Sequence, residues 1–151
     1  MVWGCVTYDG VGCLHQIKET MDSLQYCAIL EQSLLDSLKD LTHEPSSILF
    51  QQDGNSKHCA SVTMQWFEKH NIKLLPWPSC SPDMNIIEHV WEELDCRVHS
   101  RSPHPCTIDE LWAVLQQEWY GLDMTYIRKL YDSLPTCVDT LRHAQGFHTH
   151  Q

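Results

Sequence analysis

The sequence predicts an α/β domain with additional helices at its C-terminal end. Three observations point there. Short β-type runs alternate with helix-patterned segments through the first two thirds, in the order ββα-βα-βα. Three further helix patterns fill the last third without an intervening strand. The 151 residues, 42% of them apolar and six of them tryptophan, suffice to bury one core.

The elements follow in order. Residues 2–7 form a β-type run, Tyr8-Asp9-Gly10-Val11-Gly12 is a turn rich in residues that tolerate positive φ, and 13–17 reads as the returning strand. Asp22 or Ser23 can cap a helix over 23–41, whose stripe is Leu24, Cys27, Ala28, Leu34, Leu35, Leu38 and Leu41. A loop over 43–47 leads to a strand at 48–52. Gly54-Asn55-Ser56 breaks that strand just after Asp53, and 58–70 then reads as a helix with Ala60, Met64 and Phe67 on one side.

Residues 72–75 form a short strand halted by Pro76-Trp77-Pro78. From Ser81-Pro82-Asp83 a helix begins with Ile87, Val90, Trp91, Leu94 and Val98 as its stripe. A loop over 101–106 ends at Thr107-x-x-Glu110, a capping-box signature. That box opens a helix carrying Ile108, Leu111, Trp112, Leu115 and Trp119. A helix over 123–134 follows, with Tyr126, Ile127, Leu130, Tyr131 and Leu134 at the same period. Pro135 is expected to end it, leaving a short helix at 136–144. Trp66, Trp91, Trp112 and Trp119 are expected in the core.

Composition excludes several classes. No run of about 18 apolar residues exists, so no membrane span is expected, and the N-terminus has no secretory-signal pattern. The eight cysteines contain no CxxC pair, and without a secretory signal they read as reduced thiols, several of them buried. An intracellular chain is expected. The net charge of −10 is the wrong sign for a free-standing nucleic-acid binder. Any role on DNA needs a basic partner domain or metal ions at an acidic site.

Two carboxylates organise the middle of the chain. Asp53 ends an apolar run, and Glu88 follows after 34 residues, 54 to 87. Asp at a strand end and Glu on a later helix can bring hard oxygen ligands to a divalent ion. Each has a plainer reading too. Asp53 suits the start of an Asx-turn with Gly54, and Glu88 suits the N3 position of a helix capped by Asn85. His58 suits either a polar helix start or a site contact. Asp83 suits a first helical turn, while Glu92 and Asp95 suit a solvated face. A rival constellation, Cys96-x2-His99-x4-His104-x-Cys106, offers four zinc-ligand types at spacings looser than zinc sites show, and the tail holds His148 and His150.

The segments MVWGCVTYDGVG, QQDGNSKHCA and WPSCSPDMNIIEHVWEEL resemble the catalytic domain of the Tc-like branch of the mariner superfamily of DDE transposases. That family shows QQDNAPCHTA, then WPxxSPDLNPIExxWxxLK, with the same Asp-to-Glu spacing. Asp22-Ser23 with Tyr26, and Glu110-Leu111-Trp112, are similar to its helix starts. The resemblance implies a ribonuclease-H-like (DDE transposase/integrase) fold. It implies metal-dependent cleavage and strand transfer of transposon DNA, by three carboxylates that hold two Mg²⁺ or Mn²⁺ ions. Asp53 and Glu88 match the second and third acids and are the expected catalytic residues and metal ligands.

The sequence departs from the family at Gly54, Ser56, Lys57 and Ile86. The family's first catalytic Asp lies on a strand upstream of the hairpin, and the sequence begins at Met1 within that hairpin. A fold lacking its first strand, in one truncated catalytic domain, is therefore expected: hairpin 1–17, strand and helix core 18–98, C-terminal helices 99–151. The missing strand is expected to leave a gap between the hairpin and the Asp53 strand. Partners implied are transposon-end DNA and a second copy in a homodimer, with no membrane, in the nucleus. The alternative is a transposase remnant acting as a non-catalytic interaction domain.

Overall fold

The hairpin forms, but its ladders are short. Strands β1 (Val2–Trp3) and β2 (His15–Gln16) pair antiparallel, Val2 opposite Gln16 and Trp3 opposite His15. A single bridge joins Val6 to Val11 nearer the turn. Residue 13 falls outside the ladder because its amide donates to Ser37 Oγ at 2.7 Å. The turn is closed by Thr7, whose Oγ1 accepts from the amides of Asp9 and Gly10. Its glycines are not in the left-handed region. A Cβ at Gly12 would overlap Cys5 Sγ and lie 2.8 Å from Ser37 Cβ, so the close approach of the hairpin to the helix leaves no room for a side chain there.

The computed structural model describes residues 1–77 and 85–143. They fall in two compact units, Met1–Ser81 and Pro82–Gln151.

In the first unit the helix expected over 23–41 runs as α1 (Ser23–Ile29), a π-helical turn (Leu30–Leu34) and α2 (Leu35–Asp40). Asp22 is the cap, accepting the Gln25 amide at 2.8 Å. At the wide turn, Ser37 Oγ donates to the Ser33 carbonyl at 2.5 Å while accepting from Cys13, and Ser33 Oγ meets His15 Nδ1 at 3.0 Å. Hydroxyls at this turn tie the helix to the hairpin, a pattern that apolar periodicity alone does not reveal.

Strand β3 (Leu49–Phe50) pairs parallel with β4 (Lys73–Leu74), shorter than the expected 48–52 and 72–75. Between them α3 spans Ser61–Lys69, starting later than 58 because residues 55–59 form a turn instead. Its inward side is Thr63, Trp66 and Phe67, whereas Met64 is exposed and Ala60 half-buried. The core joins Tyr26, Ile29, Leu30, Leu34 and Leu38 to Trp66, Phe67 and Ile72. Among the described residues the two sheets stay separate, with no strand between them.

Both helices that lead into β-strands end in the same way. After α2, the His43 amide donates to Leu38 O and the Thr42 amide to Lys39 O. After α3, Ile72 donates to Phe67 O and Asn71 to Glu68 O. These Schellman ends put Thr42 at φ 58° and Asn71 at φ 55°. Asn tolerates that region, but a β-branched Thr does not. Thr42→Gly is therefore expected to stabilise the fold by about 1 kcal/mol, read as a higher urea midpoint. An unchanged or lower midpoint would contradict it.

The second unit holds α4 (Ile86–His99), α5 (Ile108–Tyr120) and α6 (Met124–His143). The buried row of α4 is Ile86, Val90, Leu94 and Val98. It begins one position earlier than expected, with Ile87 and Trp91 half-buried and Glu88, Glu92 and Asp95 in solvent. The capping box forms: Thr107 Oγ1 accepts the Glu110 amide at 3.1 Å, and Glu110 Oε2 accepts the Thr107 amide at 3.3 Å. Of the expected α5 stripe only Trp119 is fully buried, stacked on Trp91 with ring centroids 5.1 Å apart. Ile108 is 75% exposed and Trp112 half-buried.

Arg101, bonded through Nε to Glu118 Oε1 at 2.6 Å, ties the loop before α5 back to it. Pro135 lies inside α6 rather than ending it. Ile127 is buried, and Leu130, Tyr131, Leu134 and Cys137 are half-buried at helical spacing across the proline.

Candidate metal centre

The chain leaves β3 at Phe50 and reaches Asp53 three residues later, where the side chain is more than half exposed. Asp53 Oδ1 accepts the Asn55 amide at 3.1 Å, and Asn55 Oδ1 accepts the Lys57 amide at 3.2 Å. These two Asx-turns curl the backbone so that the amides of His58 and Cys59 both reach Asn55 O. The turn is fastened from α3, where fully buried Thr63 donates to Lys57 O at 2.8 Å.

This curl returns His58 to Asp53, with His58 Nδ1 2.5 Å from Asp53 Oδ1. The His58 ring lies against Tyr26, centroids 4.2 Å apart. Tyr26 is 1% exposed and donates its hydroxyl to Gln52 Oε1 at 2.9 Å, and Gln52 Nε2 donates to the His58 carbonyl at 3.1 Å. Asp53 thus starts an Asx-turn, and its carboxylate stands exposed just past a strand end. Sequence patterning gives no sign of this part for Tyr26 and Gln52, although both lie within the matched motifs, at the helix start and in the QQD stretch.

Burial, then the nearby Asp53 charge, push the Tyr26 hydroxyl well above its usual 10.0. Burial pushes the Cys5 thiol up from 9.0 to about 11, with Cys13 adding and a Ser37 hydrogen bond opposing. Both groups ionise more readily in the unfolded chain. The stability they confer is intact below pH 9 and is lost as pH rises through 9 to 11 and beyond. Urea unfolding is expected to show that decline, and Tyr26→Phe to make it shallower; a flat profile would contradict it.

Glu88 lies in the second unit, exposed, at the third position of α4. Its amide donates to Asn85 O at 3.0 Å, while the Asn85 side chain makes no capping bond to the helix. The capping-box reading of this start is therefore not realised. A carboxylate in a first helical turn is nevertheless favoured by the helix dipole. Asp83 and Cys80 lie outside the described residues, as does the His148/His150 tail.

The donors suit a hard divalent ion in kind: Asp53 and Glu88 are accessible carboxylates, as Mg²⁺ and Mn²⁺ prefer. Among the described residues no group of three or more His, Cys, Asp or Glu is gathered at one place. The zinc reading of 96–106 is corrected by the same observation. Cys96, His99, His104 and Cys106 are all exposed, His99 is engaged by Asp95, and Cys106 Sγ faces the His104 carbonyl. The seven described cysteines are free thiols, and all are half-buried or exposed rather than fully buried. Glu92 and Asp95 form the expected solvated face. No described helix is long and apolar enough to cross a membrane.

Residues 1–112 match a family described as DDE superfamily endonuclease. The chain is 36% identical to the Tc1 transposase of Caenorhabditis elegans over 149 residues, covering 99% of this chain and 53% of the relative. It is 35% identical to the Tcb1 transposase of Caenorhabditis briggsae with the same coverage. The chain thus spans about half the length of the curated relatives it matches. Among solved structures, the Mos1 transposase catalytic domain with Raltegravir and Mn matches with a TM-score of 0.86 at 18% identity, covering 99% of this chain and 76% of that one. A Mos1 paired-end complex with the left transposon end matches with a TM-score of 0.84 at 16% identity, covering 99% and 44%. These likenesses show the ribonuclease-H-like DDE fold.

Proposed function

Because the chain belongs to the DDE superfamily endonuclease family, we propose that it serves as transposase catalytic-domain sequence, cleaving and joining transposon DNA with divalent cations. One observation carries this reading. Asp53 stands just past the end of β3 and Glu88 in the first turn of α4, each inside a family motif and at the family's spacing.

Asp53 and Glu88 are the residues we assign to hold Mg²⁺ or Mn²⁺. Bound there, such an ion supplies positive charge to the entering and leaving oxygens of a phosphodiester. The carboxylates contribute hard oxygens, and the Asx-turn under Asp53 keeps one of them from wandering. With a net charge of −10, the chain also gains from cations that offset its repulsion of DNA. We read 1–151 as one catalytic domain, with transposon-end DNA as substrate, a homodimer as the assembly and the nucleus as the compartment. Support for the substrate comes from the paired-end complex with the left transposon end recorded for Mos1. The family match does not favour a non-catalytic remnant.

The test is cleavage of a transposon-end duplex by the protein that carries this chain. Cleavage that needs Mg²⁺ or Mn²⁺, and that Asp53→Asn and Glu88→Gln each remove, is expected. Cleavage indifferent to chelator, or to both substitutions, would overturn the proposal.

A further inference from the structure

We infer that His58 is a positioning residue for Asp53, its Nδ1–H fixing Oδ1 so that the carboxylate meets a divalent cation in one orientation. The inference rests on the metal-binding role proposed for Asp53 and adds a residue to it.

The geometry is specific. A carboxylate can only accept, so a 2.5 Å approach places the imidazole proton on Nδ1. The other ring nitrogen, Nε2, is buried and has no hydrogen-bond partner among the described residues. A neutral ring protonated at Nδ1 leaves only a lone pair there, whereas the other tautomer would bury an N–H and leave Nδ1 facing the carboxylate without a proton. The ring itself is held. Tyr26 covers it at a centroid distance of 4.2 Å, and Gln52 bridges the Tyr26 hydroxyl to the His58 carbonyl. His58 is 17% exposed and Asp53 55%, so a nearly buried donor orients a carboxylate that faces solvent.

Both bonds to Asp53, from His58 and from the Asn55 amide, fall on Oδ1. They leave Oδ2 unengaged by either donor and restrict rotation about the carboxyl carbon. A ligand oxygen held in advance loses less freedom when an ion arrives. Partners that hold metal ligands in this way typically change affinity by about 10–100-fold when removed.

The test measures Mn²⁺ affinity of the full chain by electron paramagnetic resonance of the free ion, for four proteins. Unsubstituted chain is expected to bind, and Asp53→Asn to lose binding. His58→Leu is expected to weaken binding by about 10–100-fold. His58→Asn, whose amide N–H can take the place of Nδ1–H, is expected to recover most of it. Equal affinity in His58→Leu and the unsubstituted chain would overturn the inference while leaving the Asp53 reading standing. Loss in His58→Asn as deep as in His58→Leu would also overturn it, since the donor would then not be what matters. Absence of Asp53-dependent binding in the unsubstituted chain would overturn both. Long-range proton–nitrogen spectra of the unsubstituted chain avoid any folding defect of the variants. They are expected to show the Nδ1–H tautomer at His58, and the Nε2–H tautomer would contradict the inference.

Discussion

Asp53→Asn is expected to reduce metal-dependent DNA cleavage by about 10³-fold or more while leaving the fold nearly as stable. Stabilisation of transition-state charge by a bound ion amounts to several kcal/mol, and about 4 kcal/mol corresponds to roughly 10³ in rate. The substitution removes the negative charge that holds the ion. It keeps an Oδ1 that can still accept the Asn55 amide, now 3.1 Å away, so the Asx-turn and the curl to His58 survive. Single-turnover cleavage and thermal melting of the same preparation separate the two effects. A variant that melts normally but does not cleave matches the expectation. One that cleaves within about tenfold of the original would remove Asp53 from the chemistry.

Trp119→Ala is expected to destabilise the second unit by about 3–5 kcal/mol. Trp119 is 0% exposed, stacks on Trp91 of α4, and is the only fully buried apolar residue of α5. Its removal leaves a cavity where α5 meets α4. Ile108→Ser is the matched control: that side chain is 75% exposed, and surface changes of this kind stay within about 0.5 kcal/mol. Urea midpoints compare the two. A Trp119→Ala cost as small as that of Ile108→Ser would contradict the packing described for α5.

Apolar periodicity and motif spacing made much of this legible. The hairpin, the capped helix after it, the βαβ arrangement around α3 and the capping box at Thr107 follow from local rules that the fold obeys. What escaped has physical causes. Locally Pro135 is a stop signal, since it removes a backbone hydrogen bond, yet α6 continues through it. Gly12 lies close to Ser37 of α2, and Ser37 accepts the Cys13 amide, contacts between segments far apart in sequence. Thr42 at positive φ breaks a local preference because the Schellman end of α2 imposes it. At the candidate site, Asp53 and Glu88 were visible as carboxylates in matched motifs. The Tyr26–Gln52–His58 support was not, since a hydrogen-bonded chain linking a helix, a strand end and a turn leaves no periodic trace.

We propose that Asp53 and Glu88 each help to hold the divalent cation that cleavage needs. Mn²⁺ affinity of the full chain, Asp53→Asn, Glu88→Gln and the pair together tests this most directly. Each single substitution is expected to remove most of the binding. Binding untouched by either substitution would contradict it.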